Sequence, residues 1–147
     1  MEGKTMTYIH QAQYYETDQM GIIHHSNYIR WMEEARIAYM DEMDFPYSMV
    51  EEAGIISPVL AVECEYKSMT HFGDRVIIEV KLISFNGIKY ALSYVMRDEK
   101  SGEVRATGTS RHCYLNKNGR PVTIKKELPA LYEKMKEAMA AGQEEQA

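Results

Sequence analysis

The sequence predicts an α+β domain of two layers, with one long helix packed on a single antiparallel sheet. Three observations predict it. Apolar residues recur at spacings of three and four over residues 27–43, the period of a helix with one buried face. Four later segments alternate apolar and polar at period two, as half-buried strands do. The connections between the last three of these are short and carry Asn, Ser or Gly, so consecutive strands lie antiparallel.

Taken in order, residues 7–15 are rich in Tyr and free of Gly and Pro, which suits a first strand. The polar segment 16–21 ends in a glycine and reads as a loop. In the helix of 27–43, Tyr28, Met32, Ala35, Tyr39 and Met43 share one face, while Arg30, Glu33, Glu34 and Asp41 gather elsewhere. Ser26 and Asn27 are its candidate N-caps, since each carries a side-chain oxygen able to accept from the first turn. Phe45-Pro46 closes the helix, and residues 47–53 form a short second one ended by Gly54. Strands follow at 59–66, 76–83, 88–97 and 104–115. Val76, Ile78, Val80 and Leu82 share one face of theirs; Ile88, Tyr90, Leu92, Tyr94 and Met96 share one face of the next. Asn86-Gly87 and Lys100-Ser101-Gly102 mark hairpins, and Asn118-Gly119 ends the last strand. Residues 128–139 read as a C-terminal helix on Leu128, Leu131, Tyr132, Met135 and Met139. One domain spans 1–141, and 142–147 reads as a disordered, frayed tail.

A chain of 147 residues buries a real core without a disulfide or metal staple. Cys64 and Cys113 stand far apart with no C-x-x-C pair, which argues against a disulfide framework or zinc site. The net charge of −5 argues against nucleic acid and anionic membrane as partners, although a local cluster of cations can still hold phosphates. The N-terminal residues lack the apolar run of a signal peptide, and no apolar stretch is long enough to span a bilayer. A soluble cytoplasmic protein is the expectation.

The chemistry concentrates in residues 15–28, where two carboxylates, two histidines and a glycine occupy a strand-to-helix connection. Loops on rigid elements commonly hold catalytic groups, and a helix N-terminus offers unpaired N–H donors to a developing oxyanion. An acid or base placed there suits acyl transfer or other carbonyl chemistry. On the residues alone, Asp18 reads first as a turn or cap residue, and His24-His25 as surface or helix-entry residues. Glu16, at a strand end, reads as a solvated charge. The remaining histidines, His10, His71 and His112, have no ligand spacing, so no metal is expected.

Asp18-x-x-Gly21-x-x-x-His25-x-Asn27-Tyr28, continuing into Glu33-x-Ala35-Arg36, resembles the N-terminal signature of hotdog-fold acyl-CoA thioesterases of the 4-hydroxybenzoyl-CoA thioesterase type. The resemblance implies the hotdog fold, one long helix wrapped by a five-stranded antiparallel sheet, and hydrolysis of a small acyl-CoA with a short-chain or aromatic acyl group. It implies that Asp18 is the catalytic carboxylate, as nucleophile or general base. It puts the oxyanion donor at the backbone N–H of His25, whose side chain helps to position substrate or loop. Gly21, His24, Asn27 and Tyr28 are the implied substrate-binding residues, and Met20 and His24 depart from the usual pattern in a way that bears on acyl specificity. No metal or organic cofactor is implied, because a thioester is already activated and coenzyme A belongs to the substrate. Lys67, Arg97, Arg105 and Arg111 are candidate contacts for its phosphates. Tyr39, Met40, Tyr47 and Met49 are acyl-pocket candidates, although such spacing more often marks a core. The resemblance also implies a homodimer or homotetramer. An acyl-ACP thioesterase, a hotdog hydratase or dehydratase, and a noncatalytic acyl-CoA-binding domain are the competing readings.

Overall fold

In the computed structural model, residues 5–146 are described, with side chains described through Ala141. The chain enters as strand β1 (Thr5–Gln11) and leaves the sheet through a 3-10 turn at Tyr14–Glu16. Helix α1 (Ser26–Glu42) and the short α2 (Tyr47–Glu52) follow. Strands β2 (Val59–Tyr66), β3 (Arg75–Phe85), β4 (Lys89–Asp98) and β5 (Val104–Cys113) precede α3 (Ile124–Glu127) and α4 (Pro129–Gln146). The five strands form one sheet in the order β1-β3-β4-β5-β2, with every neighbouring pair antiparallel.

The alternation seen in the sequence becomes the inner face of this sheet. Val76, Ile78, Val80 and Leu82 of β3 are buried, as are Tyr90, Leu92, Tyr94 and Met96 of β4. Each such side chain contributes about 1.5–3 kcal/mol on leaving water. Against them lies α1, which buries Tyr28, Trp31, Met32, Ala35 and Tyr39. Its 17 residues make a rod about 26 Å long. From the C-terminal side Leu131, Met135 and Ala138 of α4 join the same core, and α4 packs over β3.

Gly108 of β5 allows the close approach of helix to sheet. A Cβ there would collide with the methyl group of Met32 and would lie 2.6 Å from the Glu63 carbonyl oxygen.

Several expected boundaries move. The first strand stops at Gln11: Ala12 still donates its N–H to the Asp74 carbonyl at 2.8 Å, but the chain then enters the 3-10 turn, where the Glu16 carboxylate accepts the Gln13 N–H. The expected side-chain caps of α1 do not form: His25 precedes the first helical residue, Ser26 Oγ bonds His24 Nδ1, and Asn27 donates its amide to carbonyls. The last strand ends at Cys113, and Leu115 instead bridges Ile56 and Pro121. The expected C-terminal helix is α4, starting at Pro129, whose fixed φ suits a first helical position, and an unexpected short α3, capped by Thr123, precedes it. The backbone of α4 is described to Gln146 and so runs into the stretch expected as a frayed tail, whereas the side chains from Gly142 on and all of Ala147 lie outside the described residues. Tyr39 and Met40 belong to the core, Tyr47 packs against it, and Met49 is exposed.

Strand β2 pairs only with β5 and has no buried residue, so Val59, Leu60, Val62 and Tyr66 are all exposed along one sheet edge. Cys64 and Cys113 are both free thiols. Among the described residues no helix is long and apolar enough to cross a membrane.

Candidate active site

The segment between the 3-10 turn and α1 is a closed backbone loop. The Asp18 N–H donates to the Ile22 carbonyl at 2.8 Å, and the Gly21 N–H donates back to the Asp18 carbonyl at 3.0 Å. Asp18 Oδ1 accepts the Met20 N–H at 2.8 Å, leaving Oδ2 with no partner among the described residues. Gly21 sits at φ +79°, a left-handed conformation that costs glycine little, and a Cβ there would meet no atom within 4 Å. Gly21 is thus required by the turn itself rather than by crowding.

Two further contacts fix this loop to the rest of the domain. Ile22 bridges His71 and the Ile23 N–H donates to the Thr70 carbonyl at 2.9 Å, which ties the loop to the segment after β2. Thr17 bridges Ile23, and the His24 N–H donates to the Glu16 carbonyl at 2.9 Å, which closes its base.

Helix α1 then begins. The Ser26 N–H donates to His24 Nδ1 at 3.2 Å, and the Asn27 and Tyr28 N–H groups donate to the His24 and His25 carbonyls. None of the hydrogen bonds among the described residues uses the backbone N–H of His25. That leaves one polarised donor open at the end of the helix.

Beside it lies a cleft of about 360 Å³ lined by Asp18, His25 and Tyr28 together with the apolar Met20, Ile22, Tyr66 and Met69. Lys67 and Ser68 complete its polar wall. Tyr66 reaches across it and donates to the His25 carbonyl at 3.4 Å. The Tyr28 hydroxyl donates to Thr70 Oγ1 at 3.0 Å, and burial holds its proton above the ordinary tyrosine range, so it remains a neutral donor. Burial likewise raises the Cys64 thiol of β2.

The structure brings Asp18, His25 and Tyr28 to one cleft and gives Gly21 the turn that presents Asp18. His24 and Asn27 stand apart from the lining. His24 stacks on His25 with ring centroids 4.2 Å apart, and Asn27 Nδ2 donates to the Glu16 and His24 carbonyls at 3.0 and 3.3 Å. Of the candidate phosphate cations, Lys67 lines the cleft but pairs with Glu65 at 2.7 Å. Arg97 pairs with Glu79, and Arg105 with Glu103 and Asp98. Arg111 lines a different groove, beside Lys89.

Sequence reasoning missed two things. Tyr66, at the end of β2, and Ser68 and Met69 just after it enter the cleft from a distant part of the chain, placed by tertiary contacts such as the Ile22–His71 bridge and the Ile23 to Thr70 hydrogen bond. Glu16, read as a solvated charge, is 4% exposed. Its Oε1 accepts the Gln13 N–H at 2.8 Å beside His10 Nε2, and its Oε2 accepts the Trp31 indole N–H at 2.8 Å. Burial raises the Glu16 carboxyl, but these donors outweigh it and hold the group below its ordinary range.

A family model described as the thioesterase-like superfamily matches residues 13–138. A Bacillus subtilis protein named "Putative acyl-CoA thioesterase YneP" is 35% identical over 130 residues, covering 86% of this chain and 94% of that protein. The solved structure of a DHNA-CoA thioesterase from Staphylococcus aureus superposes with a TM-score of 0.91 at 28% identity, covering 95% of this chain and 94% of that one. The 4-hydroxybenzoyl-CoA thioesterase of a Pseudomonas species shares the fold, with a TM-score of 0.77 at 18% identity over 90% of this chain and 99% of that one. The expected hotdog architecture is therefore the one observed, and the chain belongs to the thioesterase-like superfamily.

Proposed function

We propose that this chain hydrolyses a small acyl-coenzyme A to the free acid and coenzyme A, with Asp18 as the catalytic carboxylate. One observation carries the reading: Asp18 and the unpaired backbone N–H of His25 belong to residues lining the same cleft. A thioester seated there meets the two things its hydrolysis needs, a carboxylate to attack or to activate water and an N–H donor for the oxyanion. As nucleophile, Asp18 expels the thiolate and forms an anhydride that water then opens; as base, it takes a proton from the attacking water. Both routes consume one water per thioester and need no metal or organic cofactor, since the thioester is already activated.

The apolar wall of Met20, Ile22, Tyr66 and Met69 suits a short-chain or aromatic acyl group. An aromatic group also fits the similarity to the DHNA-CoA thioesterase. The exposed apolar edge of β2 supports pairing with a second copy, as a homodimer or within a homotetramer, in the cytoplasm. His25, His24, Asn27, Tyr28 and Gly21 complete the site, the first and fourth from the cleft wall and the others by shaping the loop.

The test is a panel of short-chain, medium-chain and aromatic acyl-CoAs incubated with the purified protein while free thiol is followed. Turnover of at least one member by the wild type, lost in Asp18→Ala, is the expected result. Tight acyl-CoA binding without any thiol release would replace hydrolysis by a binding role.

A further inference from the structure

Glu16 lies behind the active-site loop, and its two ends hold different parts of the molecule. Its carboxylate, with the side chain 5% exposed, meets donors from three places: His10 of β1 at 2.9 Å, the Gln13 N–H of the 3-10 turn at 2.8 Å, and Trp31 of α1 at 2.8 Å. Its carbonyl oxygen meets two more, the His24 N–H at 2.9 Å and Asn27 Nδ2 at 3.0 Å.

The network extends one step outward. His10 Nδ1 lies 2.9 Å from Glu34 Oε1, which also accepts the Tyr8 hydroxyl at 2.7 Å. Both ring nitrogens of His10 therefore face carboxylate oxygens. The His10 and Trp31 rings pack with centroids 4.5 Å apart. A buried carboxylate without such donors would be strongly disfavoured, so the cluster makes sense as an anchor for the charge.

We propose that Glu16 is a positioning residue of the reaction, joining β1 to α1 and setting both Asp18 and the backbone N–H of His25 in place. The inference rests on the hydrolysis proposed above. Asp18 follows Glu16 by two residues, and His25 follows the His24 whose N–H the Glu16 carbonyl holds. A shift of about 1 Å in reacting groups can cost a rate on the order of 100-fold, so slack at Glu16 reaches both. Glu16 itself is not among the residues that line the cleft.

Glu16→Gln tests this with almost no change of shape. The three donors to the carboxylate occupy both of its oxygens, and glutamine has only one oxygen, so its amide group must face at least one donor. The expected result, at a temperature where circular dichroism shows the variant folded, is a kcat reduced about tenfold or more with KM within about threefold. In an Asp18→Ala background the same substitution should cost less than it does in the wild type, because only the His25 N–H is then left to displace.

A second readout does not depend on turnover. Hydrogen exchange at the His24 and Asp18 amides should quicken about tenfold in Glu16→Gln, while the β3 and β4 amides keep their protection. An unchanged kcat in the folded variant, a loss that adds in full to that of Asp18→Ala, or exchange that quickens uniformly would overturn the proposal. If the wild type releases no thiol, the hydrolysis reading fails by itself, and local against uniform exchange still decides whether Glu16 sets the loop. Should Glu16→Gln not fold, His10→Gln removes a ring between the two carboxylates and is judged on the same readouts.

Discussion

The methyl group of Met32 seats directly on Gly108, so that helix α1 meets strand β5 where β5 has no side chain. The backbone of β2 closes the other side of this socket, with the Glu63 carbonyl 2.6 Å from where a Cβ would be. The depth at which α1 lies on the sheet, and hence the position of its first turn, is set by this contact. Gly108→Ala should destabilise the fold by about 1–3 kcal/mol, because a backbone oxygen cannot move aside as a side chain can. Thermal unfolding measures it, and a variant as stable as the wild type would show that α1 can shift without cost.

Stability should also depend on pH through His112. Burial, assisted by the Arg36 guanidinium, lowers its pKa from 6.5 to about 3. It is 1% exposed, shares a short hydrogen bond with Ser110 and stacks on Tyr90. With the folded pKa depressed, the unfolded chain binds a proton that the folded one does not, so stability is lost as pH falls from about 6.5 toward 3. The slope reaches at most about 1.4 kcal/mol per pH unit. Urea unfolding at pH 7 and pH 5 measures this, and His112→Gln should flatten the dependence. An equal slope in wild type and variant would assign it to other groups.

How far the sequence reaches depends on whether a residue's surroundings are local. The helical period gave α1 because Tyr28, Met32, Ala35, Tyr39 and Met43 really do share one buried face. Alternation gave β3 and β4 for the same reason. It carried β5 too far, since Leu115 keeps the pattern while the chain has already left to bridge Ile56. Asp18, His25 and Tyr28 line one cleft because they lie within one loop and one helix turn, but only the family resemblance, not their spacing alone, singled them out. Glu16 was not legible, because its burial depends on donors from β1 and α1 that only the tertiary fold assembles. Tyr66 and Met69 were hidden likewise behind the register of β2 and the Ile22–His71 bridge.

Acyl selectivity should follow the apolar wall. Tyr66→Ala opens the cleft and removes the hydroxyl that reaches the His25 carbonyl. It should lower kcat/KM for aromatic acyl-CoAs by on the order of 10- to 100-fold while affecting short-chain substrates less. Ranking the same panel for wild type and variant checks this, and an unchanged ranking would put the acyl group elsewhere.

The β2 edge carries a prediction about assembly. Leu60 and Val62 are exposed on a strand whose outer side has no partner among the described residues. Sedimentation of the wild type should give a dimer or tetramer, and Leu60→Lys should shift it toward monomer, since charge on an edge strand opposes pairing. A monomeric wild type at micromolar concentration would contradict the proposed pairing.

The most direct test of the whole account is kcat of Asp18→Asn on the acyl-CoA that the wild type hydrolyses fastest. The substitution keeps the side chain's shape and the oxygen that accepts the Met20 N–H, and removes only the charge. The account predicts an intact fold by circular dichroism and a kcat lower by at least about 100-fold. A variant within about threefold of the wild type would mean that another group performs the chemistry and that Asp18 serves only its turn.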